Sequence, residues 1–530
     1  MLAAASGLAV VLTLGGPGIT TDEPLDVRPG RTYVETLLKR GPGFFDRATV
    51  TAVFRDNAEH PPLGRWLLGI AATLGQPFEI LFMGGPDPLG LYIHAARLAP
   101  AACFALLVGL VTHASARRYG PPAGLAAGFG LLVMPRVFAH AHLGALDTFI
   151  TTFWVLALLA VERALAARRP GLALLGAGAL WGLALLTKIH AWLLVPVALA
   201  RVVGVLGPKR GLPAFAGWAS VGLATFFAGW PWLWYDTAPR VLHYLGTGVA
   251  RATIHVTYFG QVYADRDVPW HYPWVYFAVT VPVGIHLFGL IGLREGWRQR
   301  KDDHFPLVLG GTIAGLLALF STRVPVYDGE RLFLMAFPLW ALLVGRGFAS
   351  AWTWSRRLRV RAALAALLLA QAYGVVALHP FQLSYYNALV GGLPGAERLG
   401  LELTYWGDAV DRGLLDRLVA EAPEGATAAL APTLYPGQGI ATTTRAMAAR
   451  SLILKDEDAA TTADWLIVSR RTAYWSNGLR ARLARGRIVA EQSRQGVWLS
   501  ALATFQPGAG SPLPGSGARS SSIVPESPGH

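Results

Sequence analysis

The chain has 530 residues, of which 53% are hydrophobic and only 15% charged, with a mean hydropathy of +0.41. A soluble globular chain carries a larger charged share and cannot hide this much apolar surface, so the composition excludes a water-soluble protein and requires lipid. The formal charge of +14 does not point to nucleic acid, because the basic residues punctuate the gaps between apolar runs instead of massing in one patch. The one cysteine, Cys103, lies inside an apolar run and excludes both an intramolecular disulfide and a cysteine-based metal cluster.

Uncharged stretches long enough to cross roughly 30 Å of hydrocarbon cover residues 2–21, 98–116, 119–135, 170–187, 211–235, 268–293, 304–322 and 362–379. Three shorter ones, 146–162, 189–206 and 331–346, begin or end beside a charged side chain that can snorkel to the interface or face a cavity. The pattern predicts an α-helical polytopic membrane protein with about eleven transmembrane helices over residues 1–380. The first run opens without a basic flank and is followed by a large loop with no A-x-A site, so it is read as a retained helix and not as a cleaved signal. With a cytoplasmic N-terminus, the loops holding Arg117 and Arg118, Arg163 to Arg169, Lys209 and Arg210, Arg294 to Lys301 and Arg346 to Arg361 all fall on the cytoplasmic side, as the positive-inside rule requires.

The opposite face then receives a long first loop over residues 20–90, in which Glu59-His60-Pro61-Pro62 opens an apolar helix reaching Leu74 that is too short to span and lies in the interface. It also receives everything after residue 380. There a charged helical segment, Asp408 to Glu421, alternates with the β-like runs Ala428–Ala431, Trp465–Val468 and Val497–Leu499, which predicts a small α/β extramembrane domain over residues 381–505. Residues 506–530 are Pro, Gly and Ser with little apolar content and read as a disordered tail.

Chemistry is sought where uncharged helix meets water. Asp22 and Glu23, in Thr20-Thr21-Asp22-Glu23-Pro24, are either charges that mark the helix end or, for Asp22, a fixed and partly desolvated general base. Asp147 occupies the same face between two spans, as a helix cap or as a second carboxylate that shares a metal or orients a sugar. Glu59, His60 and Arg65 place a proton carrier and a cation beside a rigid turn, and Lys188 and Arg331, the latter in Tyr327-Asp328-Gly329-Glu330-Arg331, add cations at the same depth. Each cation alone reads as a snorkelling anchor; together they suit a lipid phosphate and its departure as a leaving group. The loop over residues 236–273 is rich in aromatics, including His255, Tyr258, Tyr263 and His271, which form an interfacial belt or stack on a sugar ring. Asp265-Arg266-Asp267 has a D-x-D spacing too common to carry weight. No Walker A, H-E-x-x-H, G-x-S-x-G or G-x-G-x-x-G signature supports ATP-driven transport, zinc proteolysis, serine hydrolysis or dinucleotide binding.

The acidic pair after the first span, Glu59-His60-Pro61-Pro62-Leu63, Leu146-Asp147-Thr148, Leu185-Leu186-Thr187-Lys188 and Tyr327-Asp328-Gly329-Glu330-Arg331 occur in an order that resembles the polyprenyl-phosphate-sugar-dependent glycosyltransferases of the type C membrane fold. That group includes protein O-mannosyltransferases and the bacterial aminoarabinose lipid A transferase, and the likeness runs from about residue 10 to about residue 350. It implies inverting transfer of a sugar from a polyprenyl-phosphate donor to an envelope lipid, glycan or protein acceptor, on the extracytoplasmic side of a bacterial plasma membrane. It also implies catalytic roles for Asp22 and Asp147, and donor contacts from Glu23, Glu59, His60, Arg65, Lys188, Asp328 and Arg331. His60 stands where the lipid A relatives have a lysine, which predicts a pH-dependent phosphate contact. Arg251, His255 and Tyr263 are placed near the substrate by location alone. Asp22 and Asp147 are the candidate ligands for a divalent Mg or Mn ion if one is required, and the absence of inserted MIR modules argues against protein O-mannosylation. His379-Pro380-Phe381-Gln382-Leu383-Ser384-Tyr385-Tyr386-Asn387 and Leu403-Thr404-Tyr405-Trp406-Gly407-Asp408 resemble the periplasmic C-terminal parts of bacterial members, where they recognise the acceptor or cap the helices. The rival readings are a transporter or flippase of lipid-linked or anionic substrates and an enzyme using a pyrophosphate-linked glycan.

Overall fold

The computed structural model describes residues 1–55, 60–247 and 252–505, so Glu59, Arg251 and the tail from Gln506 lie outside the described residues. Every apolar stretch named above contains helix, although the first, 2–21, is helical only over Leu2–Leu12. Five helices are long and apolar enough to cross a bilayer unaided: Ile93–Tyr119, Asp147–Leu165, Ile189–Leu206, Pro208–Gly229 and Leu358–Ala377. With the shorter apolar helices Leu2–Leu12, Pro121–Leu132, Pro170–Leu185 and Phe305–Phe320 they make an integral membrane protein. The run 268–293, predicted as one span, is two helices, Tyr272–Thr280 and Val283–Arg298, bent by 111°. Pro282 explains the break: it has no N–H to donate and its backbone is extended (φ −56°, ψ 140°), so the hydrogen-bond ladder stops there.

The loop over residues 20–90 is mostly helical. Glu23–Arg40 is an 18-residue helix with Pro24 in its first turn, and it packs against Leu63–Leu74, the helix expected to lie in the interface. The C-terminal region holds a five-stranded sheet. Strands β1 (His255–Tyr258) and β2 (Gln261–Ala264) form a separate antiparallel hairpin, turned at Phe259-Gly260 where both residues have positive φ. Strands β3 (Ala428–Ala431), β4 (Leu454–Lys455), β5 (Trp465–Ser469), β6 (Arg487–Arg494) and β7 (Val497–Thr504) assemble in the order β4-β3-β5-β7-β6. The β3 pairings are parallel and the β7 pairings antiparallel. Helix Arg412–Glu421 enters this region with Asp411 as its cap, accepting the Leu414 N–H at 3.0 Å.

One seam positions the site. Gly18 N–H donates to Asp408 O at 2.7 Å and Thr21 N–H donates to Trp406 O at 3.1 Å, so the end of the first apolar segment runs against residues 406–408 of the C-terminal region. The approach is so close that a Cβ on Gly18 would collide with the Val410 carbonyl. This seam holds Trp406 beside the end of the first apolar segment, with its ring against the Arg331 guanidinium.

Candidate active site

Four separate segments converge on the Arg331 guanidinium. Arg331 lies on the short turn Arg331–Phe333 that leads into helix Ala336–Trp354. Its Nη2 donates to Asp22 Oδ2, its Nε to Asp147 Oδ2 at 3.1 Å, and its Nη1 to Asp328 Oδ2 at 3.2 Å. The second oxygen of Asp147 accepts Lys188 Nζ at 2.7 Å, and the second oxygen of Asp328 accepts Arg471 Nη2 at 2.9 Å. Three carboxylates therefore alternate with three cations, and the cluster is formally neutral. The indole of Trp406 covers Arg331, with the guanidinium carbon 4.1 Å from the ring centroid, and His140 meets that indole edge-on at 5.3 Å.

Exposure separates the acids. The Asp22 side chain is 29% exposed, against 2% for Asp147 and 3% for Asp328. Of the three, Asp22 is the one open to solvent. Beside it a cavity of about 720 Å³ opens between the first long loop and the C-terminal region, lined by Pro24, Leu25, Arg28, Arg55, Leu89 and Tyr435 among others.

Several residues expected at the substrate are placed elsewhere. Glu23 adjoins Asp22 in sequence but is fully buried and saturated: its oxygens accept Arg97 Nε and Nη2, each at 2.7 Å, and the backbone N–H groups of Thr20 and Gly144. Burial pulls the Glu23 pKa upward, but the Arg97 guanidinium and these hydrogen bonds hold it below the usual carboxylate range. Arg65 is equally buried and donates to Asp26 at 3.0 Å, so it pins helix Leu63–Leu74 to helix Glu23–Arg40 instead of meeting a phosphate. His60 does approach Asp147, Lys188 and Arg331, but burial and those neighbouring cations hold its pKa well below the usual value. The ligand-free site therefore favours the neutral imidazole. His255 and Tyr263 lie on the β1–β2 hairpin, where His255 faces Tyr474 and Tyr263 donates to Gln261 at 2.7 Å; neither joins the Arg331 cluster. Asp265 supports the same hairpin by accepting the Ile254 N–H at 3.2 Å.

The Asp147 and Asp22 carboxylates, the candidate ligands for a divalent ion, are engaged by cations in this structure. Asp147 gives both oxygens to Lys188 and Arg331, and Arg331 also engages Asp22. Among the described residues, no group of three or more His, Cys, Asp or Glu is arranged to hold a metal.

The sequence reading missed Arg471, Trp406 and His140. Arg471 follows β5 and reaches the cluster from the C-terminal region, donating to the Tyr405 carbonyl as well as to Asp328. Its reach is invisible in sequence, whereas Trp406 at least lay in a segment, Leu403 to Asp408, singled out for its resemblance to the C-terminal parts of bacterial members.

A helical membrane body with a C-terminal α/β region closed over an acid–arginine cluster has the fold of the type C membrane glycosyltransferases. Residues 59–235, about a third of the chain, match the family model described as dolichyl-phosphate-mannose-protein mannosyltransferase. Among solved structures, ArnT from Cupriavidus metallidurans bound to undecaprenyl phosphate is similar over 97% of this chain and 99% of its own, with 16% identity and a TM-score of 0.50. The archaeal oligosaccharyltransferase AglB from Archaeoglobus fulgidus, solved with an inhibitory peptide and a dolichol-phosphate, is similar over 94% of this chain and 74% of its own, with 12% identity and a TM-score of 0.44. No curated protein matches the chain by sequence.

Proposed function

We propose that the protein is an inverting glycosyltransferase that moves a sugar from a polyprenyl-phosphate donor to an envelope lipid, glycan or protein acceptor on the non-cytoplasmic side of a bacterial plasma membrane. The observation that carries the reading is the asymmetry of the Arg331 cluster: a half-open carboxylate, Asp22, held in place by an arginine whose other partners are buried. Asp22 takes the proton from the acceptor hydroxyl as that hydroxyl attacks the anomeric carbon from the face opposite the phosphate. Asp147, locked between Lys188 and Arg331, fixes the guanidinium and does not itself exchange a proton. Arg331, Lys188 and Asp147 are buried groups that orient without moving. The cluster is already neutral, so the charge of the leaving phosphate calls for further cations, and Arg28 and Arg55 in the adjoining cavity are placed to supply them while its apolar walls receive the prenyl chain. Undecaprenyl phosphate bound to the similar ArnT structure supports this donor class. In this reading the apolar helices cross the membrane about eleven times, and the odd number puts the cluster and the C-terminal region on one side.

The experiment is turnover of undecaprenyl-phosphate sugars, labelled in the sugar, by the purified protein with native membrane lipids as acceptors. Cleavage of the sugar–phosphate bond, lost in Asp22→Asn, is expected. Full activity in Asp22→Asn would remove Asp22 as base. The bent pair Tyr272–Thr280 and Val283–Arg298 is the one feature a transporter also shows. A transporter would return the donor chemically unchanged in detergent, where no gradient exists.

A further inference from the structure

His140 and Trp406 are built into the site but are not used by the chemistry above. His140 ends the short helix Pro135–His140, is 2% exposed, and has neither ring nitrogen hydrogen-bonded among the described residues. The Trp406 indole Nε1, on a fully buried ring, is likewise without a partner among the described residues. Their rings meet edge to face at 5.3 Å, Trp406 rests on Arg331, and His140 lies within electrostatic reach of Asp147, Arg331 and Lys188. Three buried polar atoms without partners are costly to leave unsatisfied, and a ligand group that pairs with them removes that cost. A charged ligand group is a poor answer, because burial holds the His140 pKa down to about 3 and the imidazole offers one donor and one acceptor without charge. A hydroxyl group, which both donates and accepts, fits one neutral imidazole and one indole N–H beside an aromatic face.

We propose that His140 and Trp406 form the sugar-recognition subsite of this centre, hydrogen-bonding hydroxyls of the transferred sugar and so setting which sugar is accepted. The inference rests on the glycosyltransferase reading. A site built around unpaired polar groups rejects a donor that lacks the matching hydroxyl, because the groups are then left unsatisfied.

The test is a binding cycle on the full-length protein in detergent. Undecaprenyl phosphate carrying mannose, glucose, galactose or 4-amino-4-deoxyarabinose is titrated first, and the tightest binder is then compared with its monodeoxy analogues on the unaltered protein, His140→Phe and Trp406→Phe. Both substitutions keep an aromatic ring and delete the unpaired polar group, so either one carries the test if the other does not fold. The expected result is that one monodeoxy analogue binds the unaltered protein about 3- to 10-fold more weakly than its parent, while at least one variant no longer discriminates between the two. A merely structural role would weaken parent and analogues by one common factor, and penalties that multiply to within about twofold for every analogue would overturn the proposal. If no donor of the four binds, the glycosyltransferase reading falls and takes the inference with it. If donors bind and show the coupling but are never cleaved, only the catalytic reading falls.

Discussion

Asp22 and Glu23 are neighbours in the chain and sit in opposite physical worlds. Glu23 and Arg97 are both 0% exposed; Arg97 spends its remaining donors on the carbonyls of Leu14, Pro17 and Gly18, and Glu23 accepts two backbone N–H groups besides. This knot ties the end of the first apolar segment, the start of helix Glu23–Arg40, the turn at Gly144 and the foot of helix Ile93–Tyr119 into one piece. The knot around Arg331 uses the same chemistry but stops short of closure, since Asp22 keeps an exposed edge and, among the described residues, no backbone N–H donates to its carboxylate. A saturated pair holds the fold, and an unsaturated one keeps an oxygen open to solvent. In the proposed function, that difference is why one residue of an acidic dipeptide serves structure and its neighbour serves chemistry.

The sharpest way to break the comparison is to remove charge from each acid without changing its shape. Asp22→Asn should lower turnover by about 10²- to 10⁴-fold, with the melting temperature in detergent close to that of the unaltered protein because the site is already partly hydrated. Glu23→Gln strands the Arg97 charge in a dry interior. Breaking a buried pair from one side costs about 3–5 kcal/mol, so the expected outcome is a large fall in folded yield and melting temperature, read by thermal unfolding in detergent. An Asp22 variant that unfolds, or a Glu23 variant that is stable but inactive, would invert the assignment.

A smaller effect is expected where the C-terminal region touches the open knot. Arg471 is 4% exposed and shares Asp328 with Arg331. In Arg471→Gln, Asp328 retains Arg331 as its ionic partner and draws that guanidinium away from Asp22 and Asp147. Misplacing a reacting group by about 1 Å costs on the order of 10²-fold, so kcat should fall by between about 10- and 100-fold, with partial recovery in Arg471→Lys. An unchanged kcat would show that the C-terminal region caps the site without shaping it.

Local pattern made the helices and the rare buried charges legible. Apolar run length is a property of contiguous residues, so every predicted stretch met a helix, and Asp147, Lys188 and Arg331 stood out because ionisable groups are scarce beside such runs. Even the break at Pro282 had its signal, Val281-Pro282-Val283 inside an otherwise uncharged run. Three features were not legible, each for a physical reason. Helix Glu23–Arg40 is polar and contains Pro29, so neither hydropathy nor propensity announces it; it is held by packing on Leu63–Leu74 and by the Asp26–Arg65 pair. Arg97 and Arg471 are two among many arginines, and in a chain of charge +14 an arginine reads first as a topology signal. Strand β6 has a mostly polar sequence and pairs only along β7, at the edge of the sheet, so it lacks the apolar signature that revealed β3, β5 and β7.

The mildest expected effect concerns Glu402, which lies behind the open knot in a setting as closed as that of Glu23 but without a dedicated arginine. It is 2% exposed, and burial pushes its pKa from the usual 4.5 to about 8, against the pull of Arg471. At neutral pH the folded protein therefore holds a proton on Glu402 that the unfolded chain releases. Between the two pKa values the folded state binds more protons than the unfolded one, so stability falls as pH rises from about 5 to about 8 and levels off beyond. Glu402→Gln mimics the protonated acid and should flatten this part of the melting-temperature profile, with the variant gaining most on the unaltered protein near pH 8 and least near pH 5. Arg97 prevents the same behaviour at Glu23, whose pKa lies below the usual range, so titration there should appear only in strongly acid solution. A Glu402→Gln profile parallel to that of the unaltered protein would mean that Arg471 holds Glu402 ionised, as Arg97 holds Glu23.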